Sequence, residues 1–354
     1  MCLDAIPRGQ ASAGCRMKIQ KRLASIAIAL AVLVILLGAY TRLTDAGLAC
    51  PDWPGCYGSL AVPQSGHIAR AAQLYPDTPL EPHKARSEMV HRYFAGVLGS
   101  VIALLFVLSW RAGGRLRRLS GTLLVLVVGQ AALGMWTVTL ALHPLVVTTH
   151  LLGGFVILTL LWLYRAELAR TPANAPVCRG QGLPWLGNAA CGVLLLQIAL
   201  GGWTSANYAA MACVELPLCQ GSWQAQLNWE EAFHLPLGHA SYEFGVLSKE
   251  ARQTIHIAHR LGALATALLV GGFALALIRQ GAPLRLLGGL LLVLLLVQIV
   301  LGLANVHLAL PLANALAHNL VAAHLLVCCV LARGRLSRPR LSPLLSPEAI
   351  RSQT

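Results

Sequence analysis

The sequence predicts an all-α membrane protein with eight transmembrane helices, arranged as two tandem four-helix bundles that are related by an internal repeat. Three observations predict this fold: few charges, eight apolar segments, and polar residues that recur at fixed spacings. Of the 354 residues, 56% are hydrophobic and 11% are charged, and the mean hydropathy is +0.66. A soluble domain carries roughly 25% charged residues. So few charges cannot cover a water-facing surface, and much of this surface must contact lipid.

Each apolar segment has close to the roughly 20 residues that a helix needs to cross the hydrocarbon core. The predicted helices cover residues 23–40, 88–110, 119–139, 145–164, 184–204, 253–278, 283–305 and 312–332. No cleavage site of small residues precedes Tyr40, so the first helix is expected to be retained.

The basic residues lie in short clusters on one side of the predicted membrane. That side comprises residues 1–22, 111–118, 165–183, 279–285 and 333–354. It holds 19 of the 27 Lys and Arg but 3 of the 13 Asp and Glu. Cytoplasmic loops are enriched in Lys and Arg, so both termini are predicted to be cytoplasmic and the long loops 41–87 and 205–252 to lie outside. The net charge of +14 thus reflects topology, and no nucleic-acid partner is expected because the clusters are not interleaved with aromatics.

The predicted organisation has five parts. They are a cytoplasmic N-terminal segment (1–22), an N-terminal four-helix half (23–164), a cytoplasmic linker (165–183), a C-terminal four-helix half (184–332) and a cytoplasmic tail (333–354).

The two halves repeat the same polar residues. A shift of 168 residues pairs His91 with His259, Arg92 with Arg260, Gln130 with Gln298, Gly134 with Gly302, and His150 with His318. A shift of 163 residues pairs Gly38 with Gly201, Thr41 with Thr204, Cys50 with Cys213, Pro54 with Pro217, Cys56 with Cys219, and Gly58 with Gly221. Chance matches of His, Gln, Cys and Pro are much rarer than matches between Leu-rich helices, so a true internal repeat is predicted.

Four histidines lie inside predicted helices and also recur in the repeat: His91, His150, His259 and His318. An ionisable side chain within a membrane is costly and usually has a function or a buried partner. In each half the two histidines stand at similar depth on different helices, an arrangement that can ligate a heme iron. Zinc or copper is the main alternative metal, although structural zinc usually takes four protein ligands. A hydrogen bond to a backbone carbonyl is the alternative without a metal.

The halves differ beside the first of these histidines. Glu88 precedes His91 by one helical turn and shares its face, whereas His256 stands at the equivalent position before His259. A carboxylate next to a bound heme could accept a proton or stabilise a developing cation, so the first half is predicted to be catalytic. A hydrated interfacial Glu is the simpler alternative.

Two arginines follow the predicted ligands directly. Arg92 and Arg260 are placed to reach heme propionates at the outer interface, since a guanidinium matches a carboxylate, or simply to extend into water. His324 projects from another face of the last helix than His318, and a packing role is expected for it.

The cysteines form two equally spaced pairs in the outer loops, Cys50 with Cys56 and Cys213 with Cys219. Because the outside is oxidising, two disulfides are predicted. A thiol–disulfide redox role and copper binding are the alternatives. Four further cysteines are expected to act as small apolar residues: Cys178, Cys191, Cys328 and Cys329.

Several motifs resemble those of the heme A synthases. The stretch 38–48, GAYTRLTDAGL, with its continuation 50–56, CPDWPGC, resembles their first-loop signature. The segments EMVHR (88–92), HLLGG (150–154), IAHR (257–260) and AHN (317–319) are similar too. The resemblance covers about residues 23–332, and the first-loop motif and Glu-x-x-His are its most specific parts.

The resemblance implies an eight-helix enzyme of the bacterial inner (plasma) membrane that oxidises the C8 methyl of heme O to the formyl group of heme A. By this resemblance His91 and His150 flank the substrate heme O, His259 and His318 ligate a heme b cofactor, and Glu88 is the acid needed for oxidation. The cysteine pairs form disulfides, the first with a role in heme transfer or redox chemistry. Implied partners are the heme O synthase, oxidase assembly factors, the lipid bilayer and a second copy of the chain in a homo-oligomer.

Two other functions are considered. A non-catalytic diheme cytochrome passing electrons from quinol usually places hemes at both leaflets, whereas all four predicted ligands lie toward the outer side. A metal or heme transporter is often built from inverted repeats, whereas four helices per unit give both halves the same orientation.

Overall fold

The structure is a computed structural model that describes residues 8–63, 68–170, 182–217, 219–221 and 223–336. Over these residues the chain is helical, and its only β-type pairing is an isolated bridge between Cys56 and Ser59. The helices are α1 (Arg8–Leu43), α2 (Ile68–Leu74), α3 (Pro82–Ser109), α4 (Gly114–Thr139), α5 (Pro144–Leu168), α6 (Gly182–Ala206), α7 (Trp229–Phe233), α8 (Lys249–Ile278), α9 (Leu284–His307) and α10 (Leu312–Gly334).

Eight of the described helices are long and apolar enough to cross a membrane, namely α1, α3, α4, α5, α6, α8, α9 and α10. This confirms the predicted all-α class and the eight spans, and the chain is a multi-pass membrane protein. Four helices begin at least four residues earlier than predicted: α1 at Arg8 instead of 23, α3 at Pro82 instead of 88, α4 at Gly114 instead of 119, and α8 at Lys249 instead of 253. Hydropathy marks the lipid-facing part of a helix, while its hydrogen-bonded turns continue into water.

The membrane helices contact one another in two rings. In the first half α1 packs on α3 and α5, and α4 closes the ring by packing on the same two helices. In the second half α6 packs on α8 and α10, and α9 packs on those two as well. Contacts of α5 with α6 and α10, and of α1 with α10, join the halves. Each half thus has its own ring of four helices, and the relation of the two bundles by an internal repeat stays a prediction.

Tight turns at the C-terminal ends of α4 and α9 determine where the helices that follow begin. Ala141 and Leu142 have positive φ of 47° and 64°, and Ala309 and Leu310 have 55° and 60°. This left-handed backbone costs energy for a residue with a Cβ. It allows a 2.8 Å bond from the Leu142 N–H to Thr137 and a 2.7 Å bond from the Leu310 N–H to Asn305. α5 and α10 therefore begin directly beside the ends of α4 and α9.

Candidate functional site

The first half places His91 and His150 on helices that face each other across the bundle. His91 extends from α3 toward α1, where a Cβ on Gly38 would lie 2.8 Å from its Cε1. His150 extends from α5 toward α4, where a Cβ on Gly134 would lie 3.5 Å from its Cε1. The two imidazoles are close enough to interact electrostatically. The two glycines therefore provide the space in which the predicted ligand pair lies.

The second half repeats this geometry with its own pair. A Cβ on Gly201 of α6 would lie 3.1 Å from His259 Cε1, and a Cβ on Gly302 of α9 would lie 3.2 Å from His318 Cε1. These two imidazoles also interact electrostatically. The four predicted ligands are thus brought together as two pairs, each from two helices and each ring against a glycine.

Ring nitrogens in these pairs lack partners among the described residues. The Nδ1 atoms of His91, His150 and His318 are buried and make no hydrogen bond there. A buried polar atom without a partner costs roughly 1–3 kcal/mol, so an additional group that reorients or ligates these rings is expected. The nitrogen donors and their pairwise arrangement fit heme iron with two axial ligands.

The polar neighbours of the rings differ between the halves. The Gln197 amide nitrogen lies 3.1 Å from His259 Nδ1, and the Gln298 amide nitrogen lies 3.2 Å from His318 Nε2. In the first half Gln130 instead donates a 3.0 Å bond to the backbone carbonyl of His150, and Val34 occupies the position equivalent to Gln197. The second pair is therefore held by side-chain amides, and the first pair is not.

Glu88 is buried, with 4% of its surface exposed. One carboxylate oxygen accepts a 2.9 Å bond from the Cys50 backbone N–H, and the other accepts a bond from Arg92. His256, its counterpart, is equally buried, and its Nδ1 lies 3.1 Å from the carbonyl of Ala209. An acid thus stands beside His91 in a dry position, where its charge is held by two directed donors.

The two predicted propionate-binding arginines contact the cysteine loops. Arg92 donates from Nη1 to the carbonyls of Asp52 at 2.9 Å and Gly55 at 2.5 Å. Arg260 donates to the carbonyls of Glu215 at 2.7 Å and Cys213 at 2.8 Å. Each arginine therefore ties its loop to the helix that carries a predicted ligand, and contact with a propionate stays a prediction.

Both predicted disulfides are present, between Cys50 and Cys56 and between Cys213 and Cys219, with Cα–Cα distances of 4.7 and 4.8 Å. In the first loop the Asp52 carboxylate accepts bonds from the N–H groups of Tyr57 at 2.6 Å and Gly58 at 2.9 Å. Burial, and secondarily the nearby acids, raises the pKa of Tyr57. The first loop is thus a closed cap packed over Glu88.

Other predicted residues have simpler surroundings. His324 Nδ1 lies 2.9 Å from the carbonyl of Leu320 on its own helix, as expected for a packing residue. Cys328 and Cys329 are buried, Cys191 is half-buried, and the sulfurs of Cys191 and Cys329 are 3.3 Å apart. Cys178 lies outside the described residues.

Sequence reasoning missed the glycines as partners of the histidines and the ring contacts of Gln197 and Gln298. A signal for the glycines was available, because Gly134 and Gly302 recur with the histidine offset of 168 residues, and Gly38 and Gly201 recur with the other repeat offset of 163. Gln197 has no counterpart in the repeat, so nothing in the spacing marked it.

Together, the fold and the donor set define a class: multi-pass helical membrane proteins with two imidazole pairs suited to heme. Within the described ranges, no three His, Cys, Asp or Glu side chains are grouped to hold a metal ion directly, which disfavours a structural zinc site. The family model COX15-CtaA, described as cytochrome oxidase assembly protein, matches residues 21–330. The chain belongs to this family.

Curated relatives share most of the chain. A heme A synthase of Shewanella oneidensis is 46% identical over 307 residues, which cover 86% of this chain and 93% of that protein. A heme A synthase of Chelativorans sp. is 30% identical over 271 residues, 70% of each chain. A third, from Bradyrhizobium sp., is 28% identical over 351 residues, 92% of this chain and 93% of that protein.

Proposed function

We propose that this chain is a heme A synthase, an oxidoreductase that converts the C8 methyl of heme O to a formyl group for terminal oxidase assembly. The family and the relatives named heme A synthase support an enzyme of heme biosynthesis. The observation that carries the finer proposal is the asymmetry between two otherwise matched sites. Only the first site has a buried carboxylate, Glu88, one turn from a predicted ligand.

In this proposal the two halves have different tasks. His91 and His150 hold the substrate heme O, and His259 and His318 hold a resident heme b. Bound heme supplies a conjugated macrocycle that spreads charge and carries electrons. The amide nitrogens of Gln197 and Gln298 lie within hydrogen-bond distance of the rings of the second pair, so these rings have polar side-chain neighbours. The first pair lacks such amide contacts to its rings, which suits a substrate that must leave.

Glu88 is proposed as the acid–base residue. Oxidation of a methyl to a formyl group removes protons and electrons from its carbon and adds one oxygen atom, with the electrons passing to an external acceptor. A carboxylate beside the carbon can accept a proton or stabilise developing positive charge. Arg92 and the Cys50 N–H fix the orientation of the carboxylate. The disulfide-closed loop over Glu88 limits the access of water, which strengthens these interactions.

The proposal is tested by co-expressing the chain with a heme O synthase and separating the extracted hemes by chromatography. Wild type is expected to yield heme A or its hydroxylated precursor. Glu88→Gln is expected to lower the conversion rate about 100-fold or more, as for loss of an acid–base group, while the absorption spectrum still shows bound heme. Glu81→Gln is the matched control, since Glu81 is an exposed acid that precedes the same helix and pairs with Lys84.

If heme O stays unconverted in wild type while heme b is bound, a non-catalytic diheme cytochrome that accepts electrons from quinol becomes the better explanation. If Glu88→Gln converts heme O at the wild-type rate, Glu88 has no role in the reaction.

The proposed setting is the bacterial inner membrane, with both termini cytoplasmic. The charge bias of the loops supports this orientation. Proposed partners are the heme O synthase that supplies the substrate, oxidase assembly factors that take up the product, and a second copy of the chain. Reporter fusions at the C-terminus and within the loop 205–252 should report opposite sides of the membrane.

A further inference from the structure

A cavity that is open to the surface lies at the opposite end of the first bundle from the histidines. It has a volume of about 360 Å³ and is lined by Lys21, Arg22, Ser25, Ile26 and Arg165. Lys21 precedes Gly38, which contacts His91, by 17 residues of α1, or about 25 Å along the helix. The cavity is therefore separate from the proposed heme sites.

The cavity concentrates positive charge. Lys21, Arg22 and Arg165 line it together, and among the described residues none of the three forms a salt bridge with an acid. Glu167, near Arg165 in sequence, instead pairs with Arg115 and Arg170. Like charges held together without a counter-charge raise the energy of the protein, and an anion in the cavity would lower it.

The basic side chains are attached to a fixed framework. Gln20, next to Lys21, donates 3.1 Å bonds to the hydroxyl oxygens of Ser109 and Tyr164, which are themselves 2.7 Å apart. Tyr164 immediately precedes Arg165, whose Nε lies 3.4 Å from Ser25 Oγ. This buried network joins α1, α3 and α5 and fixes the backbone next to the three cations. The basic side chains therefore lose less conformational entropy when an anion binds.

The equivalent positions in the second half show which residues of this arrangement the two halves share. By the repeat, Arg333 corresponds to Arg165 and Asn188 to Ser25, and Arg333 Nε donates a 2.6 Å bond to Asn188. The arginine contact between the two helices is thus kept. Pro184 and Trp185, however, stand where the first half has Lys21 and Arg22. Both halves therefore share the arginine contact, whereas the basic pair Lys21 and Arg22 is specific to the first half.

The surroundings favour a lipid over a ligand from water. Trp185, equivalent in position to Arg22, is 70% exposed, and exposed Trp is typical of the membrane–water interface. Ile26, one turn deeper than Arg22, is 50% exposed and offers an apolar surface to an acyl chain. The cavity thus has three cations at one end and an apolar wall about one helical turn further along α1.

We propose that this cavity binds an anionic phospholipid of the leaflet on the N-terminal side, the cytoplasmic leaflet in the proposed orientation. Lys21, Arg22 and Arg165 hold the phosphate, as basic pockets between transmembrane helices do, and an acyl chain lies along Ile26. The proposal does not depend on the reaction proposed above.

Native mass spectrometry of the full-length protein, titrated with dioleoyl phosphatidylglycerol or dioleoyl phosphatidylcholine, tests this site. Wild type is expected to bind phosphatidylglycerol more tightly. Each single substitution, such as Lys21→Gln, should weaken that binding ~5-fold, and Lys21→Gln, Arg22→Gln and Arg165→Gln together ~100-fold, given about one phosphate interaction for each cation. Arg333→Gln is the matched control, and it should bind like wild type.

Three outcomes would overturn the proposal. Equal binding of the two lipids by wild type would remove the need for an anion. If Arg333→Gln weakened phosphatidylglycerol binding as much as the triple variant does, the effect would come from net charge and not from this cavity. Competition by millimolar inorganic phosphate that displaces the lipid completely would show a phosphate site without lipid specificity. Equal thermal stability of the triple variant and wild type in detergent shows that a loss of binding is not a loss of folding.

Discussion

Gly38 lies directly against His91, where the first proposed heme site leaves no room for a side chain. A Cβ at this position would lie 2.8 Å from His91 Cε1, closer than carbon atoms normally approach. Gly38→Ala should therefore displace the imidazole and lower the heme content of the first site, although Ala favours a helix over Gly by roughly 1 kcal/mol. The absorption spectrum per mole of purified protein measures this loss.

Two other glycines serve as controls for that substitution. Gly134→Ala would bring its Cβ to 3.5 Å from His150, an ordinary contact, and a Cβ on Gly129 meets nothing within 4 Å. Both variants should retain heme. Equal heme content in Gly38→Ala and Gly129→Ala would show that the His91 ring can move without consequence.

Glu231 gives the loop between α6 and α8 a pH-dependent contact. Its carboxylate accepts bonds from the Ser248 N–H at 2.7 Å and the Ser248 hydroxyl at 2.6 Å, and these bonds lower the pKa of Glu231. A lowered pKa means that the stabilisation is complete above the ordinary pKa of a Glu and is lost as the pH falls through the lowered value.

Thermal stability measured between about pH 3 and 7 should therefore fall with acid less steeply in Glu231→Gln than in wild type, from a lower starting value. The neighbouring Glu230 is exposed and has no hydrogen bond among the described side chains, so Glu230→Gln should follow wild type. Parallel curves for wild type and Glu231→Gln would contradict the assignment.

At the scale of the helices, α1 is anchored by the polar network of Gln20, Ser109 and Tyr164. All three are buried, and their bonds join three helices of the first bundle. Gln20→Leu should lower stability by roughly 0.5–2 kcal/mol, the range for such bonds in membranes, while Ser109 and Tyr164 still satisfy each other. Denaturation in detergent measures this effect, and an unchanged midpoint would show that packing alone positions α1.

The sequence was sufficient for the eight spans because each apolar run is long and is separated from the next by charged or turn-forming residues. It was insufficient for the helix ends, since hydrogen bonding continues past the apolar part in α1 and α3. The short helices α2 and α7 lie in loops without a long periodic pattern. Their existence depends on local contacts, such as the Asn228 side chain that accepts from Glu231 N–H at the start of α7.

The candidate site was predictable to a similar extent. The internal repeat identified the four histidines and the Glu88–His256 difference. The equal spacing of the cysteine pairs, in loops expected to face an oxidising compartment, predicted both disulfides. The repeat did not reveal which way each helix is rotated. The contact of His91 with Gly38 and the contact of Arg92 with loop carbonyls both depend on that rotation, which is set by packing between helices distant in sequence.

At the scale of the whole molecule, the halves meet through residues that are equivalent in the repeat. The Arg42 side chain donates a 2.6 Å bond to the carbonyl of Ser205, and the Tyr208 hydroxyl donates a 3.2 Å bond to Asp45. Both pairs are separated by 163 residues, the same offset that relates the openings of the two halves. Self-pairing of equivalent residues is the mark of a two-fold interface, so the halves associate here as the subunits of a symmetric dimer do.

Arg42 is the centre of this junction, and its loss should weaken the association of the halves. Its guanidinium lies 4.0 Å from the centre of the Tyr208 ring and 3.6 Å from the Asp45 carboxylate, in addition to its bond to Ser205. Arg42→Met should lower stability by about 1.5–3 kcal/mol, the range for hydrogen bonds that involve a charged group. The stability of Arg42→Lys should lie between those of wild type and Arg42→Met, because an ammonium keeps the charge but not the planar fork of donors.

Calorimetry of the purified protein shows whether Arg42 joins the two halves or stabilises only its own end of α1. If Arg42 joins the halves, Arg42→Met should both lower the midpoint and broaden the transition, because two bundles that are less tightly coupled unfold less cooperatively. Arg86→Met is the control, since Arg86 is exposed on α3 and makes no ion pair within the described chain. A lowered midpoint with unchanged width would mean that Arg42 stabilises only the end of α1, and that the halves are joined through the apolar contacts of α5, α6 and α10.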